Sequence, residues 1–351
     1  MLEKLAMSLR ILIGCSALAI FCCSASTCVA QPQEVLEEIT GGGFRRPSTS
    51  ITNIYSTLQF SIETKNFQEK NEFGDFVKKF AKAISKKGKD VQIVVDHEAF
   101  MGDKRQRLFI LGGEVTLPPV PSKMVANTAF RLALSQVGEG KATYWFRKGQ
   151  IVITSAERAR SAHFLKTSIV EADVKNRPLT DVLEHLAEQS GVSIIIDARV
   201  SNKARTTVTA KVNGKLETVV RLLTDAAGLK HVVAGNMIYV TSPANADRFA
   251  EISSGPMDGA IAIDEIRCRN QPLLEAVGEW STWVLDSRVK QKANIRVTAR
   301  WLNQVEPDTA IRILTDMAGL RHVVVDDVVY ITDAANAKKL MDEESRKKPG
   351  K

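Results

Sequence analysis

Histidine, cysteine and aromatic residues are scarce in this chain. Of 351 residues, five are His and five are Cys, and aromatics make up 6%. The histidines form no obvious metal centre: His163, His185, His231 and His322 are scattered, and His97 alone has acidic neighbours, in Asp96-His97-Glu98. Neither Cys-x-x-Cys nor His-Glu-x-x-His occurs, which removes the common zinc and dithiol patterns. The Gly-x-Ser-x-Gly elbow of a nucleophilic serine is missing too. Gly41-Gly42-Gly43-Phe44 is glycine-rich, but it lacks the strand before and the helix after that a phosphate loop needs. Few aromatics mean that the cores are expected to be built from Val, Ile, Leu and Ala.

Long apolar runs are also lacking. The longest near the start is Ile11 to Phe21, short of the roughly 20 residues of a membrane span. Lys4 and Arg10 precede or flank it, and a small-residue zone ends at Cys28-Val29-Ala30. That layout is expected to be a signal peptide over residues 1–30, cut after Ala30, with a periplasmic or otherwise exported mature chain. Retention as an anchor is one alternative. Lipidation at Leu12-Ile13-Gly14-Cys15 is another, although little apolar sequence precedes that box. Cleavage takes away two positive charges and one negative, so a net +8 becomes +7, and four of the five cysteines leave with it. Only Cys268 would remain, so no internal disulfide framework is available to an exported domain. Cys268 is expected to be a small buried apolar residue or a quiet surface thiol.

What the chain does contain is repetition. LLTDAAGLKHVV (222–233) and ILTDMAGLRHVV (313–324) agree at nine of twelve positions, at an offset of 91. A fixed offset marks repeated structural units. Around the first copy, Ile169 to Val174 reads as a strand, and Asn176-Arg177-Pro178 leads into a helix with Leu179, Val182, Leu183, Leu186 and Ala187 on one face. Gly191 stops that helix. Val192 to Ile196 is strand-like, and Thr206 to Val212 alternates as a half-buried strand before an expected turn at Asn213-Gly214. A second helix carries Leu216, Val219, Val220 and Leu223 and closes at Gly228; a hairpin then turns at Gly235-Asn236.

The same order is expected over 261–332. There Ile261 to Arg267 opens, Pro272 starts a helix, Pro307 starts the next, and Asp326-Asp327 turns the hairpin. Asp286-Ser287-Arg288-Val289 matches Asp197-Ala198-Arg199-Val200 at an offset of 89. Pro272 to Asp286 spans 14 steps against 19 from Pro178 to Asp197, so the first helix or second strand of this copy is expected to be trimmed.

A more diverged copy is expected over 57–160. Phe73, Phe76, Val77, Phe80 and Ile84 mark a helix, Val91 to Val95 a strand, Ala126 to Val137 a second helix, and Lys148-Gly149 the hairpin turn. Thr154, Thr241 and Thr332 close the three hairpins alike. Leu117-Pro118-Pro119-Val120-Pro121 is an inserted rigid connector. The remaining parts are a flexible leader over 31–56, a Ser253-Ser254-Gly255-Pro256 joint, and a charged helical tail over 333–351.

Asn-Arg-Pro-Leu, a helix ending Gln-Ser-Gly, Ile-Ile-Ile-Asp, an alternating Thr-Val-Thr-Ala-Lys-Val strand, a helix ending Ala-Gly-Leu and a hairpin together resemble the short N-terminal domain shared by secretins and TonB-dependent receptors. The likeness is closest over 168–242, looser over 261–332 and loosest over 57–155. It implies an α+β fold of tandem β-α-β-β-α-β-β domains, each with two helices on short sheets. It implies periplasmic protein–protein work: docking to assembly partners, to signalling proteins, or to neighbouring copies. Residues after 332 are too few for an outer-membrane barrel, so the expectation is the soluble modules without the pore.

The expected function is therefore a non-enzymatic exported interaction or assembly module, with envelope or secretion-machine proteins or further copies of itself as partners, and with no cofactor, metal or catalytic residue. A membrane partner enters only if the signal is retained. The alternative is a binder of peptidoglycan or acidic glycans through Lys78-Lys79 and Lys86-Lys87-Gly88-Lys89. Nucleic acid is not an expected partner: the clamp of a KH domain needs Gly-x-x-Gly, and Gly102-Asp103-Lys104-Arg105 fails it. An enzyme would need a site assembled between copies, with Asp96, Asp197 and Asp286 as the carboxylates to watch. Their plainer reading is turn capping, as His231 and His322 are plainer as duplicated hairpin residues than as ligands. Trp280, Trp283 and Trp301 are read as core.

Overall fold

The helix Leu179–Ser190 shows how the sequence pattern becomes structure. Leu179, Val182, Leu183, Leu186 and Ala187 recur at helical spacing and all five are buried. Gly191 ends the helix in the left-handed conformation, φ +75°, where residues with a β-carbon are strained. The structure is a computed structural model that describes residues 36–38, 51–85, 91–101, 110–119, 121–251, 267–278, 282–292, 294–325 and 328–347. The signal, Gly41 to Gly43, Lys86 to Lys89, Gly102 to Arg105, Ser253 to Pro256, the start of the strand expected from Ile261, Trp280 and the Asp326-Asp327 turn lie outside them.

The class is mixed α+β, with helices packed on small sheets. One pairing pattern recurs. Ile194–Ile196 runs parallel to Met237–Thr241, which pairs antiparallel with Lys230–Ala234. Trp283–Leu285, Val328–Thr332 and Arg321–Val325 repeat that arrangement. Gln92–Asp96, Gln150–Ser155 and Ala142–Arg147 do so again. Beside each sheet lies a separate antiparallel pair: Ile169–Pro178 with Thr207–Lys215, Arg267–Pro272 with Arg296–Arg300, and Ser61–Glu63 with Lys123–Val125. We call these three stretches the first, second and third segments in chain order.

The three recurring strands of each sheet are apolar on both faces, and in the first and second sheets the strand alternation divides their residues between two cores. Ile238 and Val240 face the second segment's own helices, whereas Met237 and Tyr239 join the core of the third segment. In the same way Ile93, Val95, Ile151 and Ile153 face inward in the first segment, and Val94, Trp145 and Val152 join the core of the second. The three cores are therefore joined through the sheets that they share. The outer faces of the first and second sheets are closed by the segment that follows, and all three segments belong to one compact unit, Val35–Lys351.

Several expectations need correction. Asn213-Gly214 is not a turn: the strand Thr207–Lys215 runs through it, because pairing with Val170 and Glu171 continues on that side. Ile169–Pro178 is longer than the expected strand and ends at Pro178, which caps the helix instead of entering its first turn. The strand survives Asn176-Arg177 through a bulge: Asn176 takes φ 50°, and its N–H donates to Thr209 Oγ1 at 3.0 Å. Asn270, at φ 54°, repeats this with Thr298 Oγ1, also at 3.0 Å. The trimmed element of the third segment is the helix: Leu273–Gly278 has six residues against twelve in Leu179–Ser190.

Part of the leader expected to be flexible is built into the fold. Leu36–Glu38 pairs with Gln92–Asp96, and the helix Ile51–Leu58 buries Ile51, Ile54 and Leu58. The Leu117 to Pro121 connector is tied down: Leu117 N–H donates to Phe67 O at 2.9 Å and Thr64 Oγ1 to Pro121 O at 2.9 Å. The tail forms the helix Ala334–Lys347, with Ala337 buried against the third sheet. Trp301 is fully buried and Trp283 half-buried, both in the third core. Cys268 is buried in that core as well.

Candidate functional site

Three carboxylates end the first strand of the three sheets, and all three are buried: Asp96 and Asp197 at 1% exposure and Asp286 at 4%. A buried carboxylate is costly unless it is hydrogen-bonded and paired. Here the threonine that closes each hairpin supplies a bond from the neighbouring strand. Thr154 Oγ1 donates to Asp96 at 3.0 Å, Thr241 Oγ1 to Asp197 at 2.6 Å, and Thr332 Oγ1 to Asp286 at 2.5 Å. An arginine supplies the charge. Arg199 forks onto Asp197, its Nε at 2.9 Å from Oδ1 and its Nη2 at 2.7 Å from Oδ2. Arg288 does the same to Asp286 at 2.9 and 2.6 Å. In the first segment the cation comes from elsewhere: Arg158 bridges Asp96 and Glu98, each at 3.2 Å.

Hydrogen bonds from Arg288 first, and then from Thr332, hold Asp286 well below the ordinary carboxylate range. Asp96 and Glu98 are thus brought together around a guanidinium. Among the described residues no group of three or more His, Cys, Asp or Glu side chains is placed to hold a metal. His231 and His322, equivalent by repeat, have unlike surroundings. Burial lowers the pKa of half-buried His231, whereas buried His322 has Nε2 2.8 Å from Asp308 Oδ1.

A fourth buried carboxylate, Asp316, sits at the joint between the second and third segments. It lies on the helix Pro307–Met317 and is fully buried. Its Oδ2 accepts from Arg199 Nη2 at 2.7 Å, Tyr239 Oη at 2.9 Å and Asn245 Nδ2 at 2.7 Å, all from the second segment. Its Oδ1 accepts from Arg321 Nη1 at 2.5 Å. Burial first, and then the Asp316 charge, push the Tyr239 hydroxyl far up, so it stays a donor. Burial alone would lower Arg199, but Asp197 and Asp316 outweigh it and the net shift is upward. Beside this cluster Arg312 lies over the Phe249 ring, 4.2 Å from its centroid, and donates to Phe249 O.

A second joint involves all three segments. Trp301 to Val305, between the strand Arg296–Arg300 and the helix Pro307–Met317, are all buried. Asn303 Oδ1 accepts from Phe146 N–H at 2.8 Å, and its Nδ2 donates to Phe146 O at 3.3 Å and Gly191 O at 2.5 Å. The side-chain amide thus pairs with the edge strand Ala142–Arg147 as another strand would. Asn236, in the second hairpin turn, donates to Ala159 O at 2.9 Å and to Gln304 O. Arg300 pairs with Glu184 and Glu188, and Glu188 Oε2 accepts the Ile51 N–H at 2.9 Å.

Asp197 and Asp286 stood out in the sequence as lone turn carboxylates, and Thr154, Thr241 and Thr332 as like endings. The structure joins the two sets. Asp316, Tyr239, Asn245 and Asn303 were not singled out. One signal pointed near them: the offset between copies changes from 89 to 91 between residues 299 and 313, which places two extra residues in the buried 301–305 loop. No family model, curated protein or solved structure matches the chain.

Proposed function

We propose that this chain is a non-enzymatic, exported interaction module: three tandem copies of a small β-α-β-β-α-β-β unit of the kind found in the short N-terminal domain of secretins and TonB-dependent receptors. One observation carries the reading. The same strand pairing recurs three times with the same buried Asp–Thr link, and the carboxylates that a catalytic site would draw on are consumed inside the units or between them. A copied unit whose polar groups are spent on its own integrity offers surfaces to partners. The partners are envelope or secretion-machine proteins, the compartment is the periplasm, and the signal is cut after Ala30. Among the described residues no helix is long and apolar enough to cross a membrane.

The test is fractionation followed by cross-linking in intact cells. The tagged full chain is expected in the periplasmic fraction, with its new N-terminus at Gln31, and cross-linked in fixed proportion to a defined envelope protein or to itself. Retention in the cytoplasm, or an envelope pull-down that returns no protein partner, overturns the reading.

A further inference from the structure

The joint between the second and third segments consists of a knob and a socket, and each half occurs a second time in the chain. The knob is the outer face of the helix Pro307–Met317, with Arg312, Ile313 and Asp316. Ile313 is fully buried there. The socket is the outer face of the second sheet: Ile195, Met237 and Tyr239, edged by Arg199 and Asn245. These three apolar residues are almost wholly buried by the third segment.

At the constant offset of 91, the knob recurs as Arg221, Leu222 and Asp225 on the helix Leu216–Ala226. There all three are exposed, and Leu222, at 53%, is the most exposed large apolar side chain among the described residues. At offsets of 89 and 91 the socket recurs as Val284, Val328 and Tyr330, edged by Arg288 and Asn336. The likeness extends to the bonds. Arg288 forks onto Asp286 as Arg199 does onto Asp197. Asn336 Nδ2 donates to Thr332 Oγ1 at 3.2 Å, as Asn245 does to Thr241 at 3.1 Å. The difference is the missing fourth member. Arg199, Tyr239 and Asn245 all converge on Asp316, whereas among the described residues no carboxylate from outside the third segment is bonded to Arg288, Tyr330 or Asn336. Val284 is 49% exposed, where its counterpart Ile195 is 2% exposed.

We propose that the outer face of the third sheet binds the helix Leu216–Ala226 of a second copy of this chain. Leu222 seats against Val284 and Val328, and Asp225 accepts hydrogen bonds from Arg288, Tyr330 and Asn336. The occupant is a second copy because the chain carries the complementary half at each of the knob and socket positions named above, in charge as well as in apolar character; only the Phe249 ring under Arg312 is replaced, by Leu340. Leu222 and Val284 are both open in one molecule, so they do not satisfy each other within it. Knob and socket are different patches, so the contact is head-to-tail and extends to a ring or a filament. The assembly is a specific form of the interaction-module reading and rests on it.

The experiment places a photo-cross-linking residue at Leu222 of the full chain, with a control at exposed Lys211 on the same segment. The expected product is a dimer and higher ladder from the Leu222 position only, with its cross-linked peptide mapping to 283–289 or 328–336. Asp225→Lys, an exposed change that the fold tolerates, is expected to weaken self-association at least about tenfold, measured by sedimentation. A chain that stays monomeric at all concentrations, a cross-link that maps elsewhere, or one that in cells goes to another protein instead of a second copy would overturn the pairing. None of these results touches the envelope pull-down, which judges the broader function separately.

Discussion

A β-carbon on Gly191 would lie 1.6 Å from the carbonyl oxygen of Phe146. The glycine ends the helix Leu179–Ser190 in a left-handed conformation, and the first segment's edge strand presses directly on it. Two requirements therefore meet at one residue, one local and one between segments. Gly191→Ala is expected to cost roughly 3 kcal/mol or more, because backbone has to move against backbone. Gly228 provides the comparison: it too is left-handed, φ +64°, but nothing lies within 4 Å of its added carbon. Gly228→Ala should cost about 1 kcal/mol, from backbone strain alone. Denaturant unfolding of the two variants checks the difference, and equal losses would contradict it.

Among the described residues, Asn303 is the only side chain that meets both the N–H and the C=O of Phe146. Asn303→Ala leaves buried donors and acceptors of the first and second segments unmatched, at about 2–4 kcal/mol. The expected result also includes faster hydrogen exchange at the Phe146 amide, read residue by residue, with the amides of Lys230–Ala234 as an internal reference. Unchanged protection at Phe146 would count against the pairing.

Asp316 and Asp225 are the same residue in two copies with opposite surroundings, one fully buried and one exposed. Asp316→Asn is expected to destabilise by about 3–5 kcal/mol, since Arg199 and Arg321 lose a buried counter-charge. Asp225→Asn should stay within about 0.5 kcal/mol for the isolated chain. Thermal unfolding at low protein concentration separates the two.

Asp286 titrates well below an ordinary carboxylate because Arg288 and Thr332 hydrogen-bond its charged form. An unfolded Asp titrates near about 3.9. The folded group therefore binds a proton less readily than the unfolded one. Its stabilising contribution is complete above the unfolded value and fades as pH falls through it towards the folded value. Thr332→Val removes one donor and raises the folded value. The stability gap between parent and Thr332→Val should then be widest near neutral pH and close in acid; a gap independent of pH would refute the assignment.

The helix faces and hairpins were legible because they rest on local periodicity. Leu179 to Ala187, Phe73 to Ile84 and the Gly235-Asn236 turn needed only spacing and turn chemistry. Asn213-Gly214 misled because a turn dipeptide yields to strand pairing when the register carries on past it. The segment from Ile51 to Leu58 was hidden beside a polar, glycine-rich stretch, although Ile51, Ile54 and Leu58 share one helical face. Tyr239 was expected in a hairpin, and that placement is right. Its partner, Asp316, lies 77 residues away on another helix. Such pairings depend on which face meets which, and no local pattern encodes that. For the same reason Asp225 and Asp316 look alike in sequence while their environments diverge.

Two added residues before the helix Pro307–Met317 give the third segment a loop with no counterpart in the second, and that loop reaches Phe146, Gly191 and Asn236 at once. The shared sheet faces alone would have joined each bead only to its neighbour. The insertion makes the last bead a keystone for the other two, so excising the end of the chain should loosen its beginning.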